Sequence, residues 1–135
     1  MSIELNQEQK KIFDSTMQLI LACEKDLHTS VNPEESQECL NQLSNLMPHL
    51  GVMPEIMQNA TVIFNWAKGQ AAASAMDNTV ILNAKQDIQK RFLEGQIAKW
   101  SGFYERAEQV QKSLALQIEG LRSIISFNKG IVNKL

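Results

Sequence analysis

At 135 residues, with 44% hydrophobic and 21% charged side chains, the chain has the composition of one folded domain, which excludes disorder and fibrous repeats. No apolar stretch approaches the roughly 18 residues that span a bilayer, and Met1, Ser2, Ile3 and Glu4 do not form a basic-then-apolar leader, so a cytoplasmic protein without a membrane role is expected. The net charge is only −2, but residues 1–67 hold nine acidic and three basic side chains, a net of −6, whereas residues 68–135 hold six acidic and ten basic, a net of +4.

Taken in chain order, the pattern predicts helices and no strand. Asn6 can cap a first helix over about 7–28, whose apolar positions Ile12, Phe13, Met17, Ile20, Leu21 and Leu27 keep to one broad face. Asn32, Pro33, Glu34 and Glu35 write a second start, with a capping amide, a proline tolerated in the first turn and carboxylates facing the positive end of the helix dipole. That helix should run over about 33–47 and bury Cys39, Leu40, Leu43, Leu46 and Met47. Pro48, Gly51 and Pro54 then predict a connection, because proline disfavours helical geometry in the residue before it. A third helix over about 54–76 gathers Ile56, Met57, Ala60, Ile63, Phe64, Ala67 and Ala71 on one side. Its Ala67, Ala71 and Ala75 recur at four-residue steps, where another backbone can approach closely.

Asp77, Asn78 and Thr79 suit a turn and cap, and no proline follows, so a fourth helix is expected over about 79–129, with Gly130 as its C-terminal cap. Along it Trp100, Phe103, Ala107, Val110, Leu114, Gln117, Leu121, Ile124, Asn128, Ile131 and Leu135 alternate at steps of three and four, an unbroken heptad. Ile118, Ile125 and Val132 widen this stripe to the breadth found in bundles. About 50 residues would extend to roughly 75 Å, against some 22 to 35 Å for each shorter helix. Either the helix folds back, or another subunit covers it. Gly95, the Ser101–Gly102 pair and a phase shift near Phe92, before which Ile81, Ala84 and Ile88 follow another register, are the places for a break. Asp87 with Arg91 and Glu108 with Lys112, acid-first at i, i+4, favour continuity. Gln96, Gln117 and Asn128 interrupt the apolar seam, either where it opens to water or where a partner amide fixes register.

Chemistry-bearing patterns are missing. Cys23 and Cys39 are far apart and in no CxxC arrangement, and read as reduced, buried thiols, with a disulfide between the first two helices as the alternative. His28 and His49 sit in no metal-ligand spacing; His28 suits a helix C-terminus and His49 a loop. Glu34, Glu35 and Glu38 form the densest carboxylate cluster, which could in principle supply an acid and a base, but Glu34 and Glu35 are already accounted for by a helix start. No phosphate-binding glycine loop or nucleophile elbow occurs. No catalytic residue, metal site or cofactor is therefore expected.

The sequence thus predicts an all-α, single-domain helical bundle of about four helices spanning 1–135, with a long, coiled-coil-like C-terminal helix. The function expected is non-enzymatic: a self-associating scaffold or adaptor, a homo-oligomer that also meets other proteins, packed through Trp100, Phe103, Val110, Leu114, Gln117, Leu121 and Ile125. The alternative is an oligomeric accessory protein, of the kind found in phage DNA or RNA metabolism, that binds single-stranded nucleic acid through Lys85, Lys90, Arg91, Lys99, Arg106 and Lys112. Phe92, Trp100 and Tyr104 would offer stacking surfaces for it. No motif is specific enough to name a family.

Overall fold

Asn6 starts the first helix as its sequence predicts. In the computed structural model, which describes the backbone of residues 3–134 and side chains as far as Ile131, Asn6 Oδ1 accepts from the Gln9 N–H at 2.8 Å. Gln9 Oε1 accepts from the Asn6 N–H at 3.0 Å, which completes a capping box. Four helices and no strand occur among the described residues: α1 (Gln7–Leu27), α2 (Ser36–Met76), α3 (Thr79–Leu82) and α4 (Gln86–Lys134). The chain is an all-α bundle, and no described helix is long and apolar enough to cross a membrane.

The largest departure from expectation is α2, which runs for 41 residues straight through Pro48 and Pro54. Two helices and a connection were predicted; one helix forms. A proline removes one helical N–H and crowds the carbonyl four residues back, so the affected acceptors are those of Ser44 and Leu50. Pro48, Pro54, Ser44 and Leu50 are all exposed, so those carbonyls can turn to water while the opposite side of the helix stays packed. Leu46, Met53 and Ile56, which bracket the prolines, are buried in the core. Packing across the prolines therefore outweighs the local stop signal.

The fourth predicted helix differs at both ends. Asn78 caps the single turn of α3, its Oδ1 accepting from the Val80 and Ile81 N–H groups. The chain bends at 83–85 before α4 begins at Gln86, and Gln89 Nε2 reaches back to donate to the Ile81 and Leu82 carbonyls, satisfying the end of α3. Beyond that bend α4 is unbroken through Gly95 and Gly102, and it continues through Gly130 instead of being capped there. The expected pairs of Asp87 with Arg91 and Glu108 with Lys112 do not form; Lys90 and Glu94 approach to 3.9 Å instead. Heptad positions Val132 and Leu135 lie outside the described side chains.

Cross-helix contacts fix the topology. Phe64 stacks on Tyr104, Gln42 bonds to Gln117 and Ser36 bonds to Asn128, so α2 and α4 are antiparallel. Thr16 with Asn59 and Asp26 with His49 set α1 antiparallel to α2, whereas Phe13 with Trp100 and Leu27 with Gln117 set it parallel to α4. The result is an up-down-up bundle. With 21, 41 and 49 residues, the three helices measure about 31, 61 and 73 Å. One edge of a long α2–α4 hairpin is thus covered by α1 along its middle only.

From Trp100 to Ile125 the heptad seam of α4 packs inside this single chain, whereas Ile131 beyond it is exposed. Trp100, Phe103, Ala107, Val110, Leu114, Ile118, Leu121 and Ile125 all belong to the core cluster. Their partner is a second heptad that sequence reading missed: Cys39, Gln42, Leu46, His49, Met53, Ile56, Ala60, Ile63 and Ala67, also at alternating steps of three and four. All but His49 are buried, and the His49 side chain keeps only 14% of its exposure. The premise that the other helices are too short to cover α4 is therefore overturned, because α2 is one helix, not two. The buried stripe of α2 is also displaced from the predicted one, with Leu40 and Met47 exposed and Gln42 inside.

Cys23 and Cys39 are both free and fully buried, on α1 and α2. Burial, reinforced by the neighbouring Asp26 and Glu24 carboxylates, pushes the Cys23 thiol up to about 11, so the reactive thiolate is suppressed in the folded chain.

Candidate interaction surface

Two regions carry polar or apolar groups that the helical framework does not by itself require. One is a layer where α1 ends. Like any helix, α1 leaves its final carbonyls without intrahelical donors. Gln42 Nε2 of α2 donates to the Asp26 carbonyl at 2.6 Å and to Gln117 Oε1 at 3.0 Å, and Gln117 Nε2 of α4 donates to the Leu27 carbonyl at 2.9 Å. Beside them His49 Nε2 lies 2.6 Å from Asp26 Oδ2. His49 is thus not a loop residue but a seam position of α2, tied to the last turn of α1. His28 occupies the C-cap of α1, where its placement near the dipole's negative end was expected.

The hydrogen-bond partner sought for Gln117 is therefore this chain's own Gln42, 75 residues earlier. Asn128 is satisfied in the same manner, its Nδ2 lying 3.2 Å from both the Pro33 carbonyl and Ser36 Oγ. Gln96 differs: its Oε1 is buried with no hydrogen-bond partner among the described residues. Because the Gln42–Gln117 layer joins all three long helices, Gln117→Leu should cost about 1 to 2 kcal/mol, the penalty of leaving the Leu27 carbonyl and the Gln42 amide short of partners. Urea denaturation of the purified variant measures it, and an unchanged midpoint would show that water takes over those bonds.

The six cations expected to meet nucleic acid are dispersed. Arg106 is committed to α1, its Nη2 lying 2.6 Å from Glu24 Oε1 and its Nε 3.1 Å from Glu24 Oε2. That pairing holds the guanidinium above its ordinary pKa. Lys99 Nζ sits 4.8 Å from the Trp100 ring centroid and 5.9 Å from that of Phe13, covering aromatic edges of the core. Lys90 approaches Glu94, Lys85 lies in the bend before α4, and Arg91 and Lys112 are exposed on α4 about 31 Å apart. Trp100 is buried, in edge-to-face contact with Phe13, and Tyr104 packs on Phe64; neither is a free stacking platform.

The second region is apolar and open. On the side of the hairpin away from the α1–Arg106 contact, a groove of about 850 Å³ runs between α2 and α4, lined by Leu50, Ala115, Ile118, Glu119, Arg122 and Phe127. Met47 and Leu50 of α2 remain 38% and 39% exposed, and Leu116 and Phe127 of α4 reach 70% and 68%. Arg122 lies across this face, its Nη2 3.8 Å from Met47 Sδ. A run of large apolar side chains left in water beside a concave groove is the usual mark of a contact surface. On α2 the sequence hides it, since Met47 looks like core until the seam is placed one position away.

Among the described residues no group of three or more His, Cys, Asp or Glu side chains could hold a metal ion. Set against known proteins, the chain matches no family model, no curated protein and no solved structure.

Proposed function

We propose that the protein is a non-enzymatic helical interaction module that works by self-association, with the outward face of the α2–α4 hairpin as its contact surface. The observation that carries this reading is the exposed apolar pair Leu50 and Phe127 lining the groove, with exposed Met47 against its Arg122 and exposed Leu116 following its Ala115. With the seam from Trp100 to Ile125 packed inside the chain, these are among the large apolar side chains that a partner can still cover. Burying them recovers roughly 25 cal/mol per Å² of apolar surface. A rigid hairpin pre-orders that face, so little further conformational freedom is lost on docking. Trp100, Phe103, Val110, Leu114, Leu121 and Ile125 pack within the chain and Gln117 bonds to Gln42, which supports placing the contact on the outer face.

Light scattering coupled to size exclusion tests the proposal. A mass at a multiple of 15.2 kDa is expected at concentrations up to about 100 µM, where even a weak homotypic contact is populated. A mass of 15.2 kDa throughout that range would overturn it.

A further inference from the structure

The outward face of α4 has a charge order that reads as its own complement when reversed. Ala115 and Leu116 stand at its centre, both exposed. Seven residues to either side of Ala115 lie Glu108 and Arg122, and nearer the centre lie Lys112 and Glu119, at equal distances from the midpoint between residues 115 and 116. None of these four ionic side chains forms an ion pair within the chain among the described residues, although Glu24 with Arg106 and Lys90 with Glu94 do.

We propose that α4 packs against α4 of a second copy of this chain, antiparallel and centred on Ala115 and Leu116. The proposal rests on the self-association reading above and specifies its geometry. A two-fold contact is isologous, so whatever residue i meets as j on the other copy, j meets as i. In the antiparallel arrangement Glu108 faces Arg122 of the second copy and Lys112 faces its Glu119, and each pairing occurs twice. In a parallel arrangement Glu108 would face Glu108 and Arg122 would face Arg122, which like charge disfavours. Exposed ion pairs add little affinity of their own. Their role is to select orientation, whereas Leu116 at the centre and the neighbouring groove supply the apolar area. Ala115 is small enough for the two helices to approach at that point.

The test is charge reversal read by sedimentation equilibrium of the full chain. Glu108→Arg alone and Arg122→Glu alone should each weaken self-association by about tenfold or more, and the double variant carrying both exchanges should restore it, because the pairs re-form with signs interchanged. Leu116→Asp should abolish it. Leu116 and Arg122 are exposed and Glu108 is half-buried with no ion-pair partner among the described residues, so far-UV circular dichroism should stay at the wild-type signal for all variants and the thermal midpoint should stay at the wild-type value for those at 116 and 122. Self-association that ignores every charge reversal would overturn this geometry while leaving the broader reading intact. A wild-type chain that is monomeric throughout would remove both, and weakening by the single reversals without recovery in the double variant would exclude the antiparallel register.

Discussion

Leu114→Ala should lower the unfolding free energy by about 2 to 5 kcal/mol, with the loss independent of protein concentration. Leu114 sits at a heptad position of α4 with no exposed surface, in the part of the hairpin that α1 also covers. Truncation removes the transfer free energy of the lost methyl groups and leaves a cavity that three helices bound together by the Gln42–Gln117 layer cannot readily close. Concentration independence is the informative part of the result. Were the seam an intersubunit surface, unfolding would be coupled to dissociation, and the midpoints of wild type and variant alike would rise with protein concentration even where the outer-face contact is unpopulated, since mass action would then enter the equilibrium. Leu116→Ala, two residues on but largely exposed, should change the unfolding free energy by no more than about 0.5 kcal/mol. Urea titrations of both variants at two concentrations separate the roles of neighbouring leucines that sequence hydrophobicity treats alike.

Why one seam was legible and its mate was not follows from what each contains. The α4 heptad is apolar at almost every position and free of proline, so its period stands out. The α2 heptad carries Gln42 and His49 at seam positions, and Pro48 and Pro54 on its outer side. Those polar residues are acceptable inside because the end of α1 offers them the Asp26 carbonyl and the Asp26 carboxylate, partners 16 and 23 residues distant in sequence. Periodicity cannot reveal a partner of that kind. With Gln42 discounted, Leu40 and Met47 were grouped with Cys39, Leu43 and Leu46 as the buried stripe, so an exposed face of α2 was taken for core although Cys39 and Leu46 are buried as expected. Two caps were legible, Asn6 and Asn78, which act through atoms within three residues of themselves, whereas Asn32, read as the cap of a helix from about 33, only closes a turn with the Glu34 N–H, and α2 starts at Ser36 behind Glu35 with no side-chain cap. The expected shortage of cover for α4 arose at a single step, the assumption that two prolines must stop a helix.

That step has its own test in Pro48→Ala and Pro54→Ala. In a continuous α2 each substitution restores an N–H that can bond to the carbonyl of Ser44 or Leu50 and relieves the clash of the ring with it. Proline in a helix interior is about 3 kcal/mol worse than alanine. Against this, alanine returns about 0.4 to 1 kcal/mol of conformational freedom to the unfolded chain. The net expectation is stabilisation by up to about 2 kcal/mol for each variant and up to about 4 kcal/mol for the pair, the two sites being more than one helical turn apart. Thermal and urea denaturation followed by far-UV circular dichroism should show raised midpoints. A chain that turned between residues 48 and 54 would give the reverse, because its prolines would pre-order the connection and alanine could only loosen it. Stabilisation smaller than expected in the pair, alongside gains in each single variant, would show that the curvature imposed by the prolines helps α2 follow α4 from Cys39 to Ala67.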